Sequence, residues 1–90
     1  MAYHVYILYS LKDRRLYVGC TSNLKKRIER HKDGNVTATK LRRPLELVHA
    51  EIFQEKSVAF NRERFLKSLW GAREKKKLVD KYLKDKRIGM

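Results

Sequence analysis

Residues 3–9, Tyr-His-Val-Tyr-Ile-Leu-Tyr, are β-branched and aromatic, with apolar side chains at both parities. Such a run suits a strand covered on both faces, because side chains alternate between the two sides of a sheet. The rest of the chain must supply those covers. At 90 residues, that leaves room for one compact domain with a modest core.

Lys12–Arg15 is polar and charged, and 16–20 (Leu-Tyr-Val-Gly-Cys) follows as a second short strand, so the two read as an antiparallel hairpin. Thr21 or Ser22 is placed to cap a helix that runs to about Asp33, where Gly34 supplies the stop. Residues 35–44 form a polar loop ending at Pro44. Leu45–Phe53 has apolar residues at 45, 47, 48, 50, 52 and 53, the pattern of a third strand containing an irregularity. Ser57 opens a second helix that Gly71 interrupts, and a last helix from about Ala72 carries Leu78, Val79, Tyr82 and Leu83 at amphipathic spacing. The order β-β-α-β-α-α implies a small three-stranded sheet with helices packed on it, an α/β (α+β) domain spanning residues 1–90.

Lys and Arg total 23 against 10 Asp and Glu, a formal net charge of +13. A polyanion is the natural partner. Nucleic acid stands ahead of an anionic membrane because no long apolar amphipathic segment is present. A ribosome-associated or merely soluble basic protein carries the same signature. Cys20 is the only cysteine, which excludes an internal disulfide and a cysteine-cluster zinc site. No run reaches the roughly 18 apolar residues of a transmembrane helix. The first residues read as a strand rather than a signal peptide, so a reducing cytoplasm is the expected location.

Polar residues sit where core is expected. The first helix has two aliphatic residues, Leu24 and Ile28, and their stripe continues through Arg27 and His31. Taken singly, Arg27 reads as a snorkelling rim residue and His31 as a hydrogen-bonded core imidazole. In the second helix Ala59, Glu63, Leu66 and Trp70 share a stripe, widened by Val58, Phe65 and Leu69. Glu63 is thus a carboxylate on the inner side. It requires a cation, hydrogen-bond donors or a metal ion, and Arg62 or Lys67 is close enough in sequence to give an ordinary ion pair. If opposed hairpin residues have numbers of odd sum, Tyr6, Leu8, Tyr17 and Gly19 share a face, and Gly19 lets a bulky ligand approach the sheet beside Tyr17.

Joined in order, these pieces resemble the GIY-YIG nuclease superfamily. His4-Val5-Tyr6 stands for the first motif and Tyr17-Val18-Gly19 for the second; residues 22–31 (SNLKKRIERH) form the Arg-bearing helix and 59–68 (AFNRERFLKS) the Glu-bearing one. The likeness runs from Tyr3 to Leu83 and is closest to small standalone members, which share the segment Arg42-Arg43-Pro44-Leu45-Glu46-Leu47. It implies a three-stranded antiparallel sheet flanked by helices and phosphodiester hydrolysis with one divalent cation. Tyr6 and Tyr17 match the motif tyrosines, Arg27 and His31 the polar pair of the first helix, and Glu63 the metal ligand. His4 departs from the motif glycine, which bears on the local backbone and the rim of the site, and Val18 departs from isoleucine.

The expected function is a metal-dependent endonuclease acting on DNA in preference to RNA, with DNA repair or recombination as its setting. The competing expectation is a basic module of the same fold that binds nucleic acid without cutting it. In the catalytic reading Glu63 holds Mg²⁺ or Mn²⁺ and Arg27 offers its planar fork to the phosphate. Tyr17 orients and deprotonates water, with Tyr6 and His31 assisting. A tyrosine with an ordinary pKa of about 10 needs cationic neighbours for that role, and Arg27, His31 and the metal are the candidates. His31 as the base itself is the alternative. Lys25, Lys26, Arg30, Lys40, Arg42, Arg43, Lys75, Lys76 and Lys77 are the expected phosphate contacts, largely indifferent to sequence. With no separate recognition domain, the chain either prefers a nucleic-acid structure or relies on a targeting partner.

Overall fold

The computed structural model describes residues 1–88. β1 (Tyr3–Ser10) lies between β2 (Leu16–Thr21) and β3 (Leu45–Phe53) in an antiparallel sheet of order β2-β1-β3. The central place is what a two-faced apolar strand requires, and Val5, Tyr6, Ile7 and Leu8 are all buried. Its two faces pack on different helices. Val5 and Ile7 cluster with Val18, Val48, Ala59 and Leu66 of α2 (Lys56–Lys67), and Val79 of α3 (Ala72–Ile88). Tyr6 and Leu8 cluster with Leu45, and Leu24 and Ile28 of α1 (Leu24–Lys32) pack against them from the other side. On α3, Leu78, Tyr82 and Leu83 join Val79 on the sheet, as their spacing predicts.

The hairpin has no Asn-Gly signal because Ser10 closes it instead. Its hydroxyl accepts from the backbone N–H groups of Lys12 and Asp13 at 3.2 and 3.1 Å, while Arg14 takes the left-handed conformation at φ 60°. The irregularity of β3 is a bulge. Ile7 pairs with His49 and Leu8 with Leu47, so Val48 is the extra residue and turns into the α2–α3 core.

Three expectations are corrected. The cap of α1 is Asn23, whose side-chain oxygen accepts from Lys26 N–H at 3.1 Å; Thr21 ends β2 and spends its hydroxyl on Asn23 N–H. Residue 56, not Ser57, opens α2. The third correction concerns the broad apolar face expected on that helix. Only Ala59 and Leu66 are buried, whereas Val58 and Phe65 are 45% and 39% exposed, and Leu69 and Trp70 are 94% and 86% exposed. The stripe stops short because α2 ends at Lys67 and Ser68 leaves the helical conformation at ψ 166°. Gly71 then presses against the Phe65 carbonyl, where a Cβ would collide with the backbone.

Arg62, one of the cations expected to serve Glu63, is committed elsewhere. It bridges Glu51 on β3 (2.8 and 2.9 Å) and Glu74 on α3 (both bonds 3.0 Å), tying three elements together. The guanidinium holds the Glu51 carboxyl below the usual carboxylate range.

Candidate active site

Strand parity decides which side chains meet. Tyr6 lies opposite Gly19 and Leu8 opposite Tyr17, the odd-sum register, so all four share the face that α1 covers. The α1 stripe then carries His31 and Arg27 onto the tyrosines. The Tyr6 and Tyr17 ring centroids are 6.4 Å apart, and the His31 ring meets both edge-on, at 5.7 and 5.1 Å. Gly19 has a different use from the one expected. A Cβ there would overlap the hydroxyl end of the Tyr6 ring, so the missing side chain makes room for Tyr6 itself rather than for a ligand.

His31 is fully buried and both ring nitrogens are engaged. Nε2 is 2.9 Å from the Tyr6 hydroxyl and Nδ1 is 2.7 Å from the hydroxyl of Thr39, which is itself fully buried. Burial, reinforced by repulsion from Arg27 and Arg30, pushes its pKa down to about 4. The imidazole is therefore neutral at pH 7, donating through one nitrogen and accepting through the other, and it adds no positive charge for Tyr17. That leaves Arg27 as the cation of the cluster. Its Nε–H donates to the Tyr6 hydroxyl at 3.4 Å, and the Tyr6 and Tyr17 hydroxyls both favour its charged form. The Tyr6 hydroxyl, pushed up by burial and pulled back by Arg27, also feels the negative charge of Glu63.

The depressed His31 pKa has a consequence for stability. The unfolded chain protonates this residue near 6.5 and the folded chain only near 4, so the unfolded state takes up more protons in between. Stability is expected to fall by about 3 kcal/mol as pH drops from 6.5 to 4, the magnitude of that pKa difference. Urea unfolding across this window measures it, with a His31→Asn variant as the flatter comparison.

Thr39 is the functional residue that sequence reasoning missed. It lies in the loop ahead of a 3₁₀ turn (Lys40–Arg42), in a segment with no periodicity to betray a buried hydroxyl. The one sequence-level hint is a hydroxyl residue placed just beyond the Gly34 helix stop, where the chain can double back to His31.

Glu63 is brought near this cluster but not into it. It stands on α2, which covers the other face of the sheet, and is half-buried with Lys67 Nζ 3.0 Å from its carboxylate. Its charge reaches Cys20 as well, adding to the burial that raises that thiol. Phe60, Glu63, Arg64 and Lys67 line an open cavity of about 340 Å³. A second one, of about 240 Å³, is lined by Thr21, Asn23, Lys26, Arg27 and Arg30. Among the described residues no three His, Cys, Asp or Glu side chains gather as a metal cage. One carboxylate beside an open cavity still fits Mg²⁺ or Mn²⁺, hard cations that keep several waters and take further oxygens from a phosphate.

The remaining expected phosphate contacts are scattered. Lys25 is exposed on α1 beside Lys26 and Arg30, and Lys40 is exposed at the 3₁₀ turn. Arg42 is spent on the hairpin turn, donating to Asp13 at 2.7 Å. Arg43 lies over Gly34 and donates to the Lys40 and Lys32 carbonyls. Lys75, Lys76 and Lys77 are on α3, across the sheet from α1. His4, in the place of the motif glycine, leaves the strand intact by pairing with Thr21 and Ile52, although its buried Nδ1 has no partner.

Known proteins resemble this chain in sequence, and a solved structure resembles it in fold. Residues 2–77 match the family model described as the GIY-YIG catalytic domain. A UPF0213 protein of Natronomonas pharaonis is 40% identical over 79 residues, covering 87% of this chain and 92% of that protein. The UPF0213 protein YazA of Bacillus subtilis is 40% identical over 85 residues, covering 93% of this chain and 81% of its own. The solution NMR structure of a UPF0213 protein from Bacillus halodurans superposes with a TM-score of 0.54 at 35% identity, over 89% of this chain and 84% of that one.

Proposed function

Because the chain belongs to the GIY-YIG catalytic-domain family, a nuclease family, we propose that it is a divalent-metal-dependent endonuclease hydrolysing DNA phosphodiesters in the cytoplasm, in repair or recombination. The observation that supports this most is the convergence of Tyr6, Tyr17, Arg27 and His31 on one face of the sheet.

Phosphodiester hydrolysis needs an activated water, positive charge at the phosphoryl oxygens and a proton for the leaving alkoxide. Tyr17 is the half-buried member of the tyrosine pair; its oxygen orients the attacking water and, once its own proton has passed to solvent, takes the proton of that water as the phenolate. Arg27 has Nε–H committed to Tyr6 and leans on Tyr17 as well, so its guanidinium is held by the tyrosine pair and offers its remaining N–H groups to the phosphate oxygens. Tyr6 and His31 are both fully buried, which makes them positioning residues: they fix the Arg27 fork and the Tyr17 ring. His31 as the base is disfavoured because both of its nitrogens already have partners. Glu63 would hold the cation, giving up Lys67 to do so, and the metal when bound polarises the phosphate and stabilises the departing oxygen. The P–O bond to the leaving group breaks as the water oxygen attaches, and solvent protonates the alkoxide.

Binding and cutting are separable tests. With a net charge of +13, affinity for DNA is expected to fall steeply with salt as neutralised phosphates release counterions. Plasmid, single-stranded and branched DNA are expected to be cut with Mg²⁺ or Mn²⁺ and left intact in EDTA, with RNA the poorer substrate. Tight, salt-sensitive binding without cleavage under any of these conditions would replace the nuclease by a nucleic-acid-binding module.

A further inference from the structure

Leu69 and Trp70 are the most exposed large apolar residues of α2 and the turn that follows it, at 94% and 86%. Leaving them in water forgoes the largest burial gain that residues of this size offer. The exposure is built in rather than slack. Ser68 N–H donates to Phe65 O, Gly71 N–H donates to the Ser68 backbone and hydroxyl oxygens, and Ala72 N–H donates to Leu69 O. Gly71 sits so close to the Phe65 carbonyl that no other residue fits, which fixes the two side chains outside.

The chain on either side of them is cationic. Arg64 and Lys67 precede the pair and Arg73, Lys75, Lys76 and Lys77 follow it. The acids nearby are each paired with a cation, Glu74 with Arg62 (which it shares with Glu51) and Glu63 with Lys67. The other exposed aromatics of α2 have cations over their rings, Lys56 at 5.4 Å from the Phe60 centroid and Arg62 at 5.8 Å from that of Phe65. Trp70 has none among the described residues, so its ring is open for stacking. Lys67 lines the Glu63 cavity and lies one α2 turn from Glu63, about 6 Å along the helix. The turn begins directly after it.

We propose that the Leu69–Trp70 turn is a stacking platform for an unpaired base of the nucleic-acid strand whose phosphates pass the Glu63 cavity. An open indole flanked along the chain by cations is the combination that holds single strands, since any base offers a π-face and the flanking charges take its phosphates. A second copy of this chain is a poorer occupant, because it would bring the same excess of positive charge to the patch. A duplex end, a branch point or a single strand supplies such a base; a closed duplex keeps its bases stacked. The inference rests on the nucleic-acid reading above and narrows it to substrates with unpaired bases.

Trp70 is the only tryptophan in the chain, so fluorescence excited at the long-wavelength edge, where the tyrosines do not absorb, reports on it alone. In EDTA, addition of a twelve-nucleotide oligo(dT) is expected to quench that fluorescence strongly, and a relaxed, covalently closed circular duplex at equal phosphate concentration to quench it little. By fluorescence anisotropy of labelled DNA, Trp70→Ala is expected to bind the single strand about 10-fold more weakly than the wild type, with duplex affinity changed less than two-fold. Trp70→Phe, which restores a ring, is expected to recover most of the loss. Binding of oligo(dT) without quenching, or equal affinity of Trp70→Ala and wild type, would overturn the platform while leaving the nuclease reading intact. So would sedimentation showing a dimer that protects Trp70 in the absence of DNA. Failure of the wild type to bind any nucleic acid would remove both.

Discussion

Tyr17→Phe is expected to lower metal-stimulated cleavage by about 100-fold or more while the protein melts within a few degrees of the wild type. The substitution removes one oxygen and keeps the ring that packs against Tyr6 and His31. A half-buried hydroxyl contributes little to folding, whereas a general base typically contributes about 10²- to 10⁴-fold to rate. Tyr6→Phe is the instructive contrast. Its hydroxyl is the partner of both His31 and Arg27, so the same atomic change there leaves buried groups unsatisfied and acts on stability as well. Single-turnover cleavage and thermal melting on the two variants separate the roles. Undiminished cleavage by Tyr17→Phe would take water activation away from this residue and make His31→Ala the next variant to assay.

The fold was legible in the sequence because its strongest constraint is local. A strand that is apolar on both faces calls for cover on both, and β1 lies at the centre with α1 on one side and α2 and α3 on the other. The same is true of the tyrosine–histidine face: strand parity and helical spacing are periodic rules, and together they place Tyr6, Tyr17, Arg27 and His31 on one surface. Periodicity misled where the element stopped. Leu69 and Trp70 continue the α2 pattern in sequence, but the helix has already ended at Lys67. Thr39 was invisible for the opposite reason, since a loop residue that folds back onto His31 obeys no repeat. Charge was legible only in bulk. Nothing in a string of cations separates Arg42, held by Asp13, from Lys40 at the exposed 3₁₀ turn, because the difference lies in which partner the fold brings within reach.

Glu63→Gln is the other substitution expected to have a very large effect. In a fully buried ion pair, neutralising the carboxylate would strand its cationic partner and damage the fold. The partner is Lys67, itself about half exposed, with Glu63 still 21% exposed. An i,i+4 surface pair of this kind contributes about 0.3–0.5 kcal/mol, so the melting temperature is expected to fall by no more than about 2–4 °C. Freed from Glu63, Lys67 can turn to phosphate, and DNA binding is expected to hold steady or tighten slightly. Cleavage is another matter, because no other carboxylate lines that cavity. Losing the single protein ligand of the cation is expected to cut the metal-stimulated rate by about 10³-fold or more.

The most direct measurement is a metal titration of cleavage on wild-type and Glu63→Gln proteins side by side, with DNA binding and melting recorded on the same samples. The expected result is wild-type cleavage that rises with Mg²⁺ or Mn²⁺ and vanishes in EDTA, beside a folded, DNA-binding Glu63→Gln protein that stays inert across the titration. A folded Glu63→Gln protein that cuts with Mg²⁺ at the wild-type rate, or wild-type cleavage that persists in EDTA, would contradict it.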